Sequence, residues 1–399
     1  MGYTILHITD WLLWIIMAVS VFYVFFFSLA SLLPRHRKHI TQEAKCEAYF
    51  LILFPAYHED TVIVSSVESF LKQTYPATRY QVVVISDHMR PETNHKLSLL
   101  PIMLLQPSLE KSSKAKALQY AMKKVGCREG KAEGYNSVVI LDADNIVDPD
   151  FLSRLNQVCN IGYHAIQCHR TAKNTDNDIA VLDGMSEEIN NSIFRKGHNR
   201  IGMSSALIGS GMCFDYQWFK EHVNCLDSAV EDRELEALLM KQRIFIHYAE
   251  DINVMDEKVN NSDNFQRQRL RWMTGQVQTL LRMLPYIPKA LFTGNINYID
   301  KTIQQALIPR SILLILITLF TLLATLLTLV RPFSIQVIKW WGLLILLCVA
   351  LFMAIPRSLR NKAIIGKISS LPLLVWKMLK NLFHIRTSNK EFIHTTHNQ

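Results

Sequence analysis

The sequence predicts an α/β domain with a mostly parallel sheet, held at a membrane by apolar helices. Three observations carry this reading. Short apolar runs alternate with stretches at helical spacing between residues 49 and 141, the pattern of a parallel sheet with covering helices. The run 137–141 is apolar and β-branched, as a strand buried on both faces requires. Uncharged runs long enough to cross a bilayer stand towards both ends of the chain.

Residues 11–34 carry no charge over about 24 positions, enough for one span. They lack a basic leader and a small-residue cleavage site, so an anchor is expected and not a signal peptide. Arg35, Arg37 and Lys38 follow at once and mark the cytoplasmic side. Residues 49–54 form an apolar run closed by Pro55, read as a strand followed by a loop. Residues 61–73 have helical spacing and stop at Thr74-Tyr75-Pro76. Residues 81–86 give the next strand, ending at Asp87, and 101–105 a further short one before Pro107. Residues 112–125 read as a helix with Lys111, Lys114 and Lys116 at its start.

The strand 137–141 ends in Asp142-Ala143-Asp144. Ligands of open α/β sheets bind beyond the carboxyl ends of the strands. Two carboxylates one residue apart repel unless a cation lies between them. Hard divalent ions take oxygen ligands and share them with substrate phosphates. A Mg²⁺ or Mn²⁺ site for a phosphorylated substrate is therefore expected, against the plainer reading of an acidic turn.

Further on, residues 231–241 form a helical run whose first residues are acidic, Glu231-Asp232, where a helix favours negative charge. Gln268, Arg271 and Trp272 fall at i, i+3 and i+4 and share one helix face, with Arg269 pointing elsewhere. Residues 282–292 and 363–383 mix apolar side chains with lysines and are expected to lie in the headgroup plane. Residues 311–330 and 340–356 are the second and third spans, and Arg357, Arg360 and Lys362 follow the last. The chain then has its N-terminus outside, 35–310 in the cytoplasm, 331–339 outside and its C-terminus inside. Arg331 and Lys339 run against that rule. Residues 384–399 are a polar tail.

The expected division is 1–40 anchor and basic flank, 41–280 cytoplasmic domain, 281–310 interfacial region, 311–356 two spans, and 357–399 amphipathic segment and tail. The chain has 399 residues, a formal charge of +9 and seven scattered cysteines without a CxxC pair. Neither a zinc site nor a disulfide framework is indicated, which suits a reducing compartment. The histidines at 58, 88, 164, 169 and 198 show no ligand spacing. No internal repeat is visible.

Pro55-Ala56-Tyr57-His58-Glu59, Asp87, Lys114-Ala115-Lys116-Ala117-Leu118 and Asp142-Ala143-Asp144 resemble the nucleotide-binding half of family 2 glycosyltransferases, which have the GT-A fold. The likeness continues through Gly209-Ser210-Gly211-Met212, Val230-Glu231-Asp232 and Gln268-Arg269-Leu270-Arg271-Trp272. The last is similar to the QxxRW signature of membrane-embedded β-glycosyltransferases, among them cellulose, chitin and hyaluronan synthases and ceramide glucosyltransferases. Two departures stand out. The first acidic motif is Ser86-Asp87-His88-Met89, with one aspartate and no glycine, and Val230 stands where the family often has threonine.

The resemblance implies an inverting transfer from a nucleotide-sugar, expected to be a UDP-sugar. It implies that Asp144 holds the metal, that Glu59, Asp87, Lys114, Asp142 and Arg271 bind the donor, and that Asp232 is the general base. Gln268, Trp272 and Glu231 would meet the acceptor. A glycan or lipid acceptor, the membrane lipid, and an export partner or second copy are the expected partners, with no nucleic acid. The expected product is a cell-surface polysaccharide. The alternatives are a glycolipid made by single transfer, and a non-catalytic scaffold that binds nucleotide-sugar.

Overall fold

The structure, a computed structural model, describes residues 2–34, 46–109, 112–126, 134–174, 178–228, 230–258, 262–327 and 335–360. The expected segments 363–383 and 384–399 lie outside these residues, as do Arg35, Lys111 and Arg331.

Eight strands form one sheet: β1 (Phe50–Tyr57), β2 (Tyr80–Asp87), β3 (Met103–Leu105), β4 (Ser137–Ile140), β5 (Ile146–Val147), β6 (Ala165–Ala172), β7 (Met212–Asp215) and β8 (Ile246–Asp256). Their order is β3-β2-β1-β4-β7-β6-β8-β5. β1 to β4 pair in parallel, β7 runs antiparallel between β4 and β6, and β6 and β8 are parallel. The sheet is mixed and mostly parallel, as expected.

Side-chain alternation in β1 explains its unbroken apolar run. Phe50, Ile52 and Phe54 pack on one face with Ile63, Val67 and Phe70 of helix α1 (Ile63–Phe70). Leu51 and Leu53 pack on the other face with Ala117, Leu118 and Ala121 of helix α2 (Lys114–Gly126). Burying each such leucine, isoleucine or phenylalanine contributes about 1.5–3 kcal/mol.

Pro55 was expected to close β1, yet the strand continues to Tyr57. β4 pairs with β1 only up to Ile140 opposite Leu53. Beyond that point one side of β1 is an edge, where a missing N–H costs no ladder bond. The register sets Tyr57 beside Asp87, so the ends of β1, β2 and β4 open on one side of the sheet.

Among the described residues three helices are long and apolar enough to cross a membrane, over Thr4–Ala30, Arg310–Leu327 and Val337–Ala354. Met17, Val21 and Val24 pack with Leu313, Ile317, Trp340 and Leu347. The same cluster takes in Leu182, Met185 and Ile189 of helix α3 (Asp178–Asn190), so the sheet domain and the apolar helices share a core.

The first apolar helix starts at Gly2, nine residues before the expected span. It carries Asp10 because that charge has a partner: Lys339 forms an ion pair with Asp10, and Trp340 Nε1 donates to Asp10 Oδ1 at 2.9 Å. The lysine that ran against the charge rule is thereby neutralised. Deeper in the same helix, Tyr23 donates to Asp300 Oδ1 at 2.6 Å, and His198 Nε2 lies 3.2 Å from Asp300 Oδ2.

Residues 282–292 are not one helix. They comprise the end of a helix closing at Met283, a 3₁₀ turn Leu284–Tyr286 and a short helix Ile287–Phe292. Met283 and Ala290 join the domain core, whereas Leu284, Leu291 and Phe292 are exposed.

Candidate active site

All ten expected site residues line one cavity of about 540 Å³. They come from separate segments. Glu59 follows β1, Asp87 ends β2, and Asp142 and Asp144 follow β4. Lys114 opens α2, Glu231 and Asp232 open helix α4 (Glu231–Lys241), and Gln268, Arg271 and Trp272 lie on helix α5 (Ser262–Met283).

Asp142 lies against Lys114. Its Oδ1 accepts a hydrogen bond from Lys114, whose ammonium also donates to the Gly209 carbonyl at 2.6 Å. Glu231 Oε1 lies 3.4 Å from the same nitrogen. Within the chain, Lys114 offsets the Asp142 charge. Burial works against the charged form of Asp142, but Lys114 holds its carboxyl below the usual range. Lys114 itself is raised by Asp142 and Glu231 despite its burial. Burial pushes Glu231 up to about 7, against the pull of Lys114.

Asp144 is buried. Its Oδ1 accepts from Asn145 Nδ2 at 3.1 Å and its Oδ2 from the Glu257 N–H at 2.9 Å. Each oxygen keeps a lone pair. Among the described residues no three His, Cys, Asp or Glu side chains gather as a metal cage. A single carboxylate fits a hard divalent ion that takes its other ligands from phosphate and water.

The departures from the family pattern have physical counterparts here. His88 has φ of 56°, the left-handed turn that glycine usually takes and histidine tolerates. His88 Nδ1 lies 2.7 Å from Asp87 Oδ1, and Met89 Sδ accepts from the Glu59 N–H at 3.1 Å. Val230 packs on Gly275 of α5 so closely that a Cβ there would lie 2.5 Å from Val230 Cγ1. This approach locks α5 against the start of α4.

On α5 the shared face forms as expected. Gln268 Oε1 is buried without a hydrogen-bond partner. Arg269 does not point away: it lines the cavity, pairs with Asp183, and lies 4.7 Å over the Trp272 ring.

A second charged group was not foreseen. Arg170 Nε donates to Glu187 Oε1 at 2.6 Å and lies 3.5 Å from Asp256 Oδ2. Lys258 pairs with Glu187 and lies 2.8 Å from Asp256. Burial opposes the charge on Glu187, but Arg170 and Lys258 hold it well below the usual carboxylate range, while burial pushes Asp256 up to about 6. Three of the four line the cavity. They come from β6, α3 and the end of β8, so no sequence spacing announces them; Arg170 within a buried strand is the one available signal.

Residues 48–275 match the family model described as "Glycosyltransferase like family 2". Among solved structures, the chain is similar to the mannosyltransferase PcManGT from Pyrobaculum calidifontis in complex with GDP-Man and Mn²⁺. The identity is 14%, covering 93% of this chain and 99% of that one, with a TM-score of 0.54. S. aureus TarS is similar at 13% identity, covering 84% and 88%, with a TM-score of 0.41. Glucosyl-3-phosphoglycerate synthase from Mycobacterium tuberculosis, solved with Mn²⁺, UDP and phosphoglyceric acid, has 15% identity, 62% and 84% coverage and a TM-score of 0.41. No curated protein sequence matches the chain. The fold is GT-A.

Proposed function

The chain belongs to the family 2 glycosyltransferases, and on that premise we propose a membrane-anchored, inverting enzyme that transfers a sugar from a nucleotide-sugar, taken to be a UDP-sugar. The observation that best supports this is the convergence of ten residues from separate segments on one cavity.

In this reading the acceptor oxygen attacks the anomeric carbon as its bond to the diphosphate breaks. Asp232 takes the hydroxyl proton and the nucleoside diphosphate leaves. One displacement inverts the carbon, so an α-linked donor gives a β-glycoside. Lys114 and Arg271 bear on the diphosphate, with Asp142, Asp87 and Glu59 towards the nucleoside. Gln268, Trp272 and Glu231 face the acceptor. Asp144 would hold a Mg²⁺ or Mn²⁺ ion, which supplies charge neutralisation of the leaving group. The Mn²⁺ in the Pyrobaculum enzyme supports that choice of ion.

The expected setting is synthesis of a cell-surface polysaccharide, with the sheet domain in the cytoplasm. Val24, Leu314 and Leu351, one from each apolar helix, also line the cavity. This favours an acceptor delivered from the bilayer, on which a glycan is built or which becomes a glycolipid. The three candidate spans among the described residues are few for a chain-wide channel, so a polymer would leave through an export partner or a second copy. The test is turnover by purified protein in a screen of labelled UDP- and GDP-sugars, with linkage analysis of the product. Binding without turnover of any donor would favour a nucleotide-sugar-binding scaffold instead.

A further inference from the structure

The inner end of the cavity carries two arginines that the reaction above does not use. Arg195 lies in a π-helical turn, Asn191–Gly197, directly after α3. Such turns are frequent at functional sites. Its side chain is 3% exposed and lines the cavity. Its Nη1 donates to Asn191 Oδ1 at 2.6 Å, but its Nε has no hydrogen-bond partner. Arg310 opens the second apolar helix and lines the same cavity. Its Nη2 donates to the Ser186 carbonyl at 3.0 Å and to Ser186 Oγ at 3.3 Å.

The hydrogen bonds of both arginines go to neutral groups, while Glu187 and Glu236 act on Arg195 only electrostatically. Arg195 and Arg269 each act electrostatically on Arg310, and like charges held together away from water repel. The nearby carboxylates are already engaged: Glu187 by Arg170 and Lys258, Asp183 by Arg269, and Glu236 by the Leu207 N–H at 2.8 Å. An anion from outside the chain would offset the repulsion, and the guanidinium fork matches phosphate.

What flanks the arginines identifies the rest of the ligand. On one side, Arg269 over Trp272 connects them to the face that would receive an acceptor sugar. On the other, Val24, Met185, Leu314 and Leu351 form an apolar wall built from all three candidate spans and α3. We propose that the acceptor is a phosphate-linked lipid: a bilayer-anchored chain joined through phosphate to the sugar whose hydroxyl accepts transfer. The phosphate makes and breaks no bond; Arg195 and Arg310 are positioning residues. This rests on the glycosyltransferase reading and adds the acceptor class to it.

The test uses the full chain in non-ionic detergent, with dodecyl phosphate as probe and intrinsic tryptophan fluorescence as readout. Saturable binding is expected, weakened about 10-fold in Arg195→Gln and again in Arg310→Gln, as for loss of a charged hydrogen bond. UDP affinity should persist in both, which also reports folding. Where a glutamine variant loses UDP as well, its lysine counterpart, which keeps the charge, decides: it should bind more dodecyl phosphate than the glutamine form. Unchanged affinity in the variants overturns the proposal, as does inorganic phosphate binding as tightly as dodecyl phosphate. A wild-type chain that binds dodecyl phosphate but no nucleotide would sink the glycosyltransferase reading and leave the anion-and-tail site standing.

Discussion

The ammonium of Lys114 lies 3.4 Å from the carboxylate of Glu231 while it donates a hydrogen bond to Asp142. One lysine, 14% exposed, ties the strand-end acid to the acid that opens α4. Lys114→Met leaves the buried Glu231 and the partly exposed Asp142 without their cation; breaking a fully buried pair costs about 3–5 kcal/mol, and solvent at Asp142 lowers that figure here. Its thermal midpoint should fall well below that of the wild type, and UDP binding should vanish. A midpoint within a degree of wild type would mean the pair is structurally idle.

Glu231 gives a pH dependence of defined sign. Its carboxyl titrates near 7 in the folded chain, against an ordinary value of 4.5. The folded state therefore holds a proton that the unfolded state releases. The resulting stability is present below 4.5 and is lost as pH rises through 7. Glu231→Gln stays neutral throughout. Its midpoint relative to wild type should rise between about pH 4.5 and pH 7 and level off above that. A constant difference across that range contradicts the assignment.

Asp144→Ala should abolish turnover, since the leaving diphosphate loses the group that would hold its counter-ion. Chelation of the wild type by EDTA should do the same, and added Mn²⁺ or Mg²⁺ should restore activity. Full activity of the chelated enzyme would rule out the metal role.

Asp232→Asn should keep UDP affinity and lower the turnover rate by about 10² to 10⁴-fold. Single-turnover kinetics separates the two effects. Lost nucleotide affinity with an unchanged rate would make Asp232 a binding residue.

Charge flanks orient the spans, so Ile335→Cys should react with an impermeant thiol reagent added outside intact cells, and a cysteine at position 260 should not. The reverse pattern would invert the topology.

The parts of the site that lie at strand ends were legible in the sequence. A buried strand declares itself by composition, and its carboxyl end is where ligands bind in such sheets, so Asp87, Asp142 and Asp144 could be read directly. Gln268, Arg271 and Trp272 were legible because helical spacing fixes a shared face. That same rule misled for Arg269, whose long side chain reaches Asp183 and covers Trp272. The group of Arg170, Glu187, Asp256 and Lys258 was not legible beyond the single hint of Arg170, a charge in a buried strand. Its members meet through sheet order, with β6 next to β8, and sheet order is a long-range outcome. The continuation of β1 through Pro55 depended likewise on how far β4 extends beside it.

The pairing of Asp10 with Lys339 has a consequence for biosynthesis. The two are separated by 329 positions. At ordinary translation speeds the ribosome needs on the order of half a minute to travel between them. During that interval the first helix resides in the membrane with an uncompensated carboxyl, a costly condition in lipid. The catalytic domain is synthesised entirely within the wait. Insertion of the third apolar helix supplies both the ammonium and the Trp340 indole N–H, so the arrival of that helix is what seals the bundle. A nascent chain stalled before that helix would keep an unpaired acid in its first apolar helix.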